Sequence, residues 1–139
     1  MEIDFVITWV DMNDSKWRRD FDKYSNKAEN EKNSVSVARF RDYGLLKFWF
    51  RGVEKFSPWV RKIHFITCGQ KPEWVDENHP KINLIDHKNF IPEQFLPTYN
   101  SVVIERYLHK IPDLEEHFVY FNDDFYMMIK FMVRKRMIF

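Results

Sequence analysis

The chain has 139 residues, 45% of them apolar and 18% aromatic, which excludes an intrinsically disordered polypeptide. Three Gly and six Pro exclude collagen-like and low-complexity classes. Lys and Arg number 22 against 21 Asp and Glu, a net charge of +1, so no field exists to bind nucleic acid and none is expected as a partner.

The single cysteine, Cys68, can form neither an internal disulfide nor a cysteine-based zinc site. The N-terminal MEIDFVITWVD lacks the basic segment and long apolar run of a signal peptide. No stretch approaches the ~20 apolar residues that span a bilayer. The expectation is a cytoplasmic chain without a transmembrane segment.

Residues 2–10 are apolar, β-branched and aromatic, and read as a strand buried on both faces. Asp11 follows, and Asn13 and Asp14 break the run. Residues 12–38 turn polar, with Trp17, Phe21 and Tyr24 as anchors. They read as a loose helix and then a mobile loop over 25–36, together a solvated connector. Residues 42–56 place Leu45, Leu46, Trp49, Phe50, Val53 and Phe56 on one helical face, with Asp42 as N-cap and Pro58 after the end. Strands follow at 62–68, closed by Gly69, and at 81–86. A helix is predicted over 101–110 and a fourth strand over 117–121, ending in Asn122, Asp123 and Asp124.

Alternating strands and helices predict an α/β fold, a mostly parallel sheet with flanking helices. Ligands gather at the carboxyl ends of such strands. Asp11 and the Asp123–Asp124 pair both sit at such ends. Together they offer hard oxygen ligands to a divalent cation, Mg or Mn, although Asp and Asn are also common in turns. Arg39 precedes a helix start and suits a phosphate, or else pairs with Asp42. His64 lies mid-strand and reads as structural. The chain has no G-x-S-x-G, P-loop or G-x-G-x-x-G motif.

The segment Ile3 to Asp11 resembles the first signature block of the Stealth family. Arg39 to Asp124 resembles the second, through RFRD (39–42), LKFWFRGVEKFSPWVRKIHFIT (46–67), PEWVDENHPKI (72–82), LPTYNS (96–101), IERYLHKIPDL (104–114) and FVYFNDD (118–124). Family members are sugar-phosphate transferases. Bacterial ones build capsule or cell-wall polymers joined by phosphodiesters. The resemblance implies a Rossmann-like, nucleotide-sugar-transferase-like fold. It implies transfer of a hexose-1-phosphate from a nucleotide-sugar donor to a glycan acceptor, with a divalent cation. By position it assigns Asp123 and Asp124 to the cation, and Arg39 to donor phosphate. Asp11 falls to the cation or to acceptor activation, and Asp42, Asn100, Ser101 and Asn122 to substrate. The family continues into two further blocks, so an incomplete domain is expected. Residues 1–124 form the N-terminal part of its catalytic domain, and 125–139 an atypical, basic and apolar tail that a frameshift would explain. Such a chain is expected to lack transferase activity alone. Location at the inner face of the membrane, beside a membrane-bound assembly machinery, fits that role. A metal-dependent glycosyltransferase and a non-catalytic nucleotide- or partner-binding remnant are the alternatives.

Overall fold

A computed structural model describes residues 1–27 and 44–123. Its centre is a four-stranded sheet in the order β3-β2-β1-β4, from β1 (Asp4–Thr8), β2 (Ile63–Thr67), β3 (Ile82–Asp86) and β4 (Phe118–Phe121). Every pairing is parallel: Phe5 lies opposite Ile63 and Val119, and Phe65 opposite Leu84. Among the described residues three α-helices flank it: α1 (Ser15–Lys27), α2 (Leu46–Phe56) and α3 (Ser101–Arg106).

The unbroken apolar run of β1 has the cause expected of a parallel sheet, burial on both sides. Phe5 and Ile7 face α2 and pack with Trp49, Val53 and Phe65. Val6 points the other way and packs with Ile66, Ile85, Leu108 and Ile111.

The helix expected from residue 42 begins at Leu46, with Leu45 at the cap position and no side-chain cap. Leu45 is therefore exposed, whereas Leu46, Trp49 and Val53 are buried as their spacing requires. Asp42 lies outside the described residues. The helix expected over 101–110 stops at Arg106, and a 3-10 turn over Leu108–Lys110 follows. Leu108 and Ile111 are both buried, and their three-residue spacing suits the tighter turn.

The segment read as a solvated connector holds a packed helix. Asp14 Oδ1 accepts a 2.7 Å hydrogen bond from the Trp17 N–H, which caps α1. Trp17 and Phe21 stack at 5.0 Å, and both meet Tyr99 edge-on. Of the loop expected over 25–36, residues 25–27 belong to α1, and residues 28–36 lie outside the described residues.

At the amino ends of the strands one buried carboxylate ties the sheet together. Asp4 of β1 accepts the Arg61 fork, Nε at 2.9 Å and Nη2 at 2.6 Å. It also accepts the backbone N–H groups of Lys62 at 3.2 Å and Glu115 at 3.0 Å. His64 Nε2 lies 2.8 Å away, and the Asn83 amide donates to His64 Nδ1 at 3.1 Å. With Nδ1 accepting, Nε2 carries the proton, so His64 is neutral and donates to Asp4. His64 is structural, as its mid-strand position suggested.

Burial pushes the Asp4 carboxyl up, but Arg61, the Glu115 N–H and His64 outweigh it and hold the group below its ordinary 3.8. Burial lowers His64 below its ordinary 6.5, against the pull of Asp4. Both folded values lie below the unfolded ones, so both groups bind more protons when unfolded, and stability rises with pH and is lost on acidification. The His64 share is complete above 6.5 and is lost below it; the Asp4 share is lost below 3.8. Removing one partner of a buried pair costs about 3–5 kcal/mol. Asp4→Ala is expected to lose that much in chemical denaturation. It should also lose the Asp4 part of the acid slope and keep the His64 part.

Candidate active site

The chain runs from β1 outward to β2 and β3, then returns to place β4 on the other side of β1. The strand order reverses between β1 and β4, and in open α/β sheets the ligand crevice opens at the carboxyl ends beside such a switch point. Asp11 follows one of these two strands and Asp123 the other.

The two exits are built differently. After β1, the Asp11 N–H donates to Gln70 Oε1 at 3.0 Å, and Gln70 Nε2 donates back to the Asp11 carbonyl at 2.8 Å. Gln70 follows β2, so the exits of β1 and β2 are fastened to each other. Asp11 Oδ1 accepts the Asn13 N–H at 2.8 Å, a turn that leads into the Asp14 cap. Thr8 Oγ1 and the Tyr120 hydroxyl lie 3.2 Å apart and join β1 to β4. Beyond this pair, Asn122, Asp123 and Ser101 line a cavity of about 460 Å³ with Thr8 and Trp9. The Trp9 indole N–H is buried with no acceptor among the described residues.

A second cavity of about 450 Å³ lies over the ends of β2 and β3, lined by Gly69, Gln70, Asp86 and Lys88 and walled by α1. The two cavities share Trp17, Cys68, His87, Thr98 and Tyr99 and are halves of one cleft. Gly69 has φ +83°, and a Cβ there would meet Asp86 Oδ2 at 3.1 Å. That oxygen belongs to the carboxylate that caps the turn over His87–Asn89, through the Lys88 N–H at 3.0 Å.

Burial sets the chemistry of this half. It pushes His87 down to about 4 against the nearby Asp86 charge. It pushes the Cys68 thiol and the Tyr99 hydroxyl each up to about 12. Near neutral pH these are an uncharged imidazole, a thiol and a phenol. None is an activated nucleophile. The cleft can position, donate and accept.

Of the residues singled out in the sequence, Ser101, Asn122 and Asp123 meet in one cavity. Asn100 spends its side chain on the α3 cap, accepting the Val102 N–H at 2.9 Å. Asp11 stands beside the cleft, held by the turn and by Gln70. Arg39, Asp42 and Asp124 lie outside the described residues. No cluster of three or more His, Cys, Asp or Glu side chains that could hold a metal occurs among the described residues. Asn122 and Asp123 carry side-chain oxygens into the cavity past β4, and Asp11 lies at the exit of β1. Sequence reasoning missed Gln70, Asp86, His87 and Tyr99. The signal that singled out Asp11 and Asp123, a polar residue just past a strand, also marks Gln70 and the Asp86–His87 pair.

The His87 ring signals should stay fixed in an NMR titration from about pH 8 to about pH 5 and move only near 4. A midpoint near the ordinary 6.5 would mean that the ring is solvated.

The family model described as Stealth protein CR1, conserved region 1, matches residues 1–29, and that of CR2, conserved region 2, matches residues 39–139. The chain is 50% identical over 127 residues to the receptor polysaccharide phosphotransferase WefC of Streptococcus oralis, covering 91% of this chain and 38% of that protein. It is 46% identical over 127 residues to the capsular polysaccharide phosphotransferase WcwK of Streptococcus pneumoniae, again 91% of this chain and 38% of the relative. With the capsular polysaccharide phosphotransferase eps5J of Streptococcus thermophilus the identity is 45% over 129 residues, 91% of this chain and 53% of the relative. The chain thus spans between about a third and a half of the length of these relatives. Among the described residues no helix is long and apolar enough to cross a membrane. The acidic strand ends and the helix that opens at Ser101 fall within these two regions, which follow one another along most of the sequence, and the chain belongs to the Stealth protein family.

Proposed function

We propose that this domain serves a polysaccharide phosphotransferase that moves a hexose-1-phosphate from a nucleotide-sugar onto a sugar hydroxyl. The observation that carries the reading is the meeting of Asp123, Asn122 and Ser101 in one cavity at the switch point, in a chain about half identical to proteins named as polysaccharide phosphotransferases. The acceptor oxygen forms a bond to the hexose-linked phosphorus. The bond from that phosphorus to the bridging oxygen breaks, a nucleoside monophosphate leaves, and the hydroxyl proton passes to a base. Such a transfer depends on positioning and charge stabilisation more than on a covalent nucleophile. A cleft without an activated nucleophile suits it.

Asp123 and Asp124 would hold a divalent cation, Mg or Mn, which neutralises phosphate charge when bound. Arg39 takes donor phosphate, and Asp11 helps the cation or the acceptor hydroxyl. Ser101 and Asn122 contact substrate in the cavity. Asn100 positions Ser101 through the α3 cap, and Asp42 completes the substrate contacts. The reaction belongs in the cytoplasm, at the inner membrane face where polymer is assembled. The 139 residues supply part of the site, and turnover needs further family sequence.

The test incubates the purified 139-residue protein and, in parallel, a longer chain that carries the further family sequence with a panel of nucleotide-sugars, Mg or Mn, and sugar acceptors. Acceptor-dependent nucleoside monophosphate identifies the phosphotransferase, and nucleoside diphosphate would identify a glycosyltransferase instead. Sustained release by the 139-residue chain alone would overturn the requirement for further sequence. In a longer chain that carries the further family sequence, Asp123→Asn and Asp124→Asn should each weaken Mn binding and remove most turnover while the fold, read by circular dichroism, stays unchanged. Arg39→Ala should weaken donor binding by about 1.5–3 kcal/mol, the worth of a hydrogen bond to a charged group. Arg41→Ala should cost clearly less, and equal losses would remove Arg39 from the phosphate site.

A further inference from the structure

The connection from β2 to β3 carries no helix among its described residues, so the sheet face beside α2 is left partly uncovered. A groove of about 750 Å³ lies there. It runs past Ile63 and Ile82, the first residues of β2 and β3, at the end of the sheet opposite the cleft. Phe50, Val53 and Val60 form its apolar floor. Trp74 stands in its wall with 48% of its surface exposed.

This indole packs against the core on one side. It meets Phe50 edge-on at 5.5 Å, and Phe50 meets buried Phe65 in the same way at 5.6 Å. The loop beneath it is fixed by the Val75 N–H bonded to the Pro72 carbonyl and by the Lys71–Glu77 ion pair at 2.9 Å. The rim is mainly cationic. Lys47 and Arg51 of α2 and Lys81 of the β2–β3 connection line it against one acid, Glu54. His79 is the remaining titratable group on the groove.

A half-exposed indole packed on one side offers a flat face to the C–H face of a pyranose ring. Cations spaced around it offer partners to negative groups at intervals along a ligand. Sugar rings linked by phosphodiesters present both features in alternation. A neutral glycan would leave the rim unused, and an acidic peptide would leave the flat indole without a ring to cover. We propose that this groove binds a phosphodiester-linked glycan, the growing polymer, at a site separate from the cleft. The inference rests on the function proposed above, since that reaction makes such a polymer.

The experiment titrates the 139-residue protein with an oligomer of hexoses joined by phosphodiesters and follows the Trp74 indole N–H by NMR. Parallel titrations use the dephosphorylated oligosaccharide and an oligoglutamate of equal charge. Saturable binding that moves the Trp74 signal, weakens with salt and is at least tenfold tighter than for the neutral sugar is expected. Trp74→Ala and Arg51→Glu should each lower that affinity at least tenfold, and Trp74→Tyr should restore part of the loss. Nucleotide-sugar binding in the cleft should be unchanged in all three variants. Wild-type affinity in Trp74→Ala and Arg51→Glu, or equal binding of the oligoglutamate, would overturn the proposal. Release of nucleoside diphosphate would refute the transferase reading, whereas donor binding with no glycan binding would refute the groove alone.

Discussion

A single carboxylate, Asp4, sets how the strands lie side by side. It sits on β1, fully buried, and its partners come from both neighbouring segments: Arg61 and Lys62 just before β2, His64 within β2, and Glu115 before β4. His64 carries the link on to Asn83 of β3. A parallel sheet has no hairpins to fix its register, so its strands must be aligned by contacts between distant parts of the chain. Here one buried charge does this at the amino end of every strand. Desolvating it is costly, and the cost is met because each oxygen accepts more than one donor. Arg61 also reaches the carbonyl and carboxylate of Asp113, which binds the entry to β4 into the same group.

With the amino ends tied, the carboxyl ends are free to hold chemistry. The cleft forms there because the chain leaves β1 toward α1 and returns along β4. Trp17, Phe21 and Tyr99 clamp α1 to the loop before α3. That clamp sets the height of the wall above Cys68 and His87 and so the room left for a ligand. The division of labour is clear: ion pairing and hydrogen bonding of a buried charge at one end, a polar opening at the other.

Much of this was legible in the sequence. The doubly buried β1, the amphipathic α2 and the four strands follow from apolar period and from turn residues, which are local signals. The carboxyl-end position of Asp11 and Asp123 followed from that order alone. What was not legible depends on contacts between distant residues. Nothing near Asp4 in sequence marks it as the centre of a network, because its partners lie 57 or more positions away. The helix at Ser15–Lys27 looks solvated because it has few apolar residues; Tyr99, far along the chain, supplies the surface they pack on. The early end of α3 has a similar origin, since Leu108 and Ile111 must both reach the sheet.

The side chain of Gln70 has one further consequence. Its amide returns to Asp11 the same donor and acceptor pair that a peptide unit of a neighbouring strand would offer. The Trp9 N–H already bonds to the Ile66 carbonyl, one step past the end of β1. Gln70 therefore works as a counterfeit strand residue, and the β1–β2 ladder runs on to Asp11 although the backbone has stopped being a sheet. The crevice gains a floor longer than its strands. A glutamate, nearly the same shape, would keep the acceptor, lose the donor and set a negative charge against the Asp11 carbonyl oxygen.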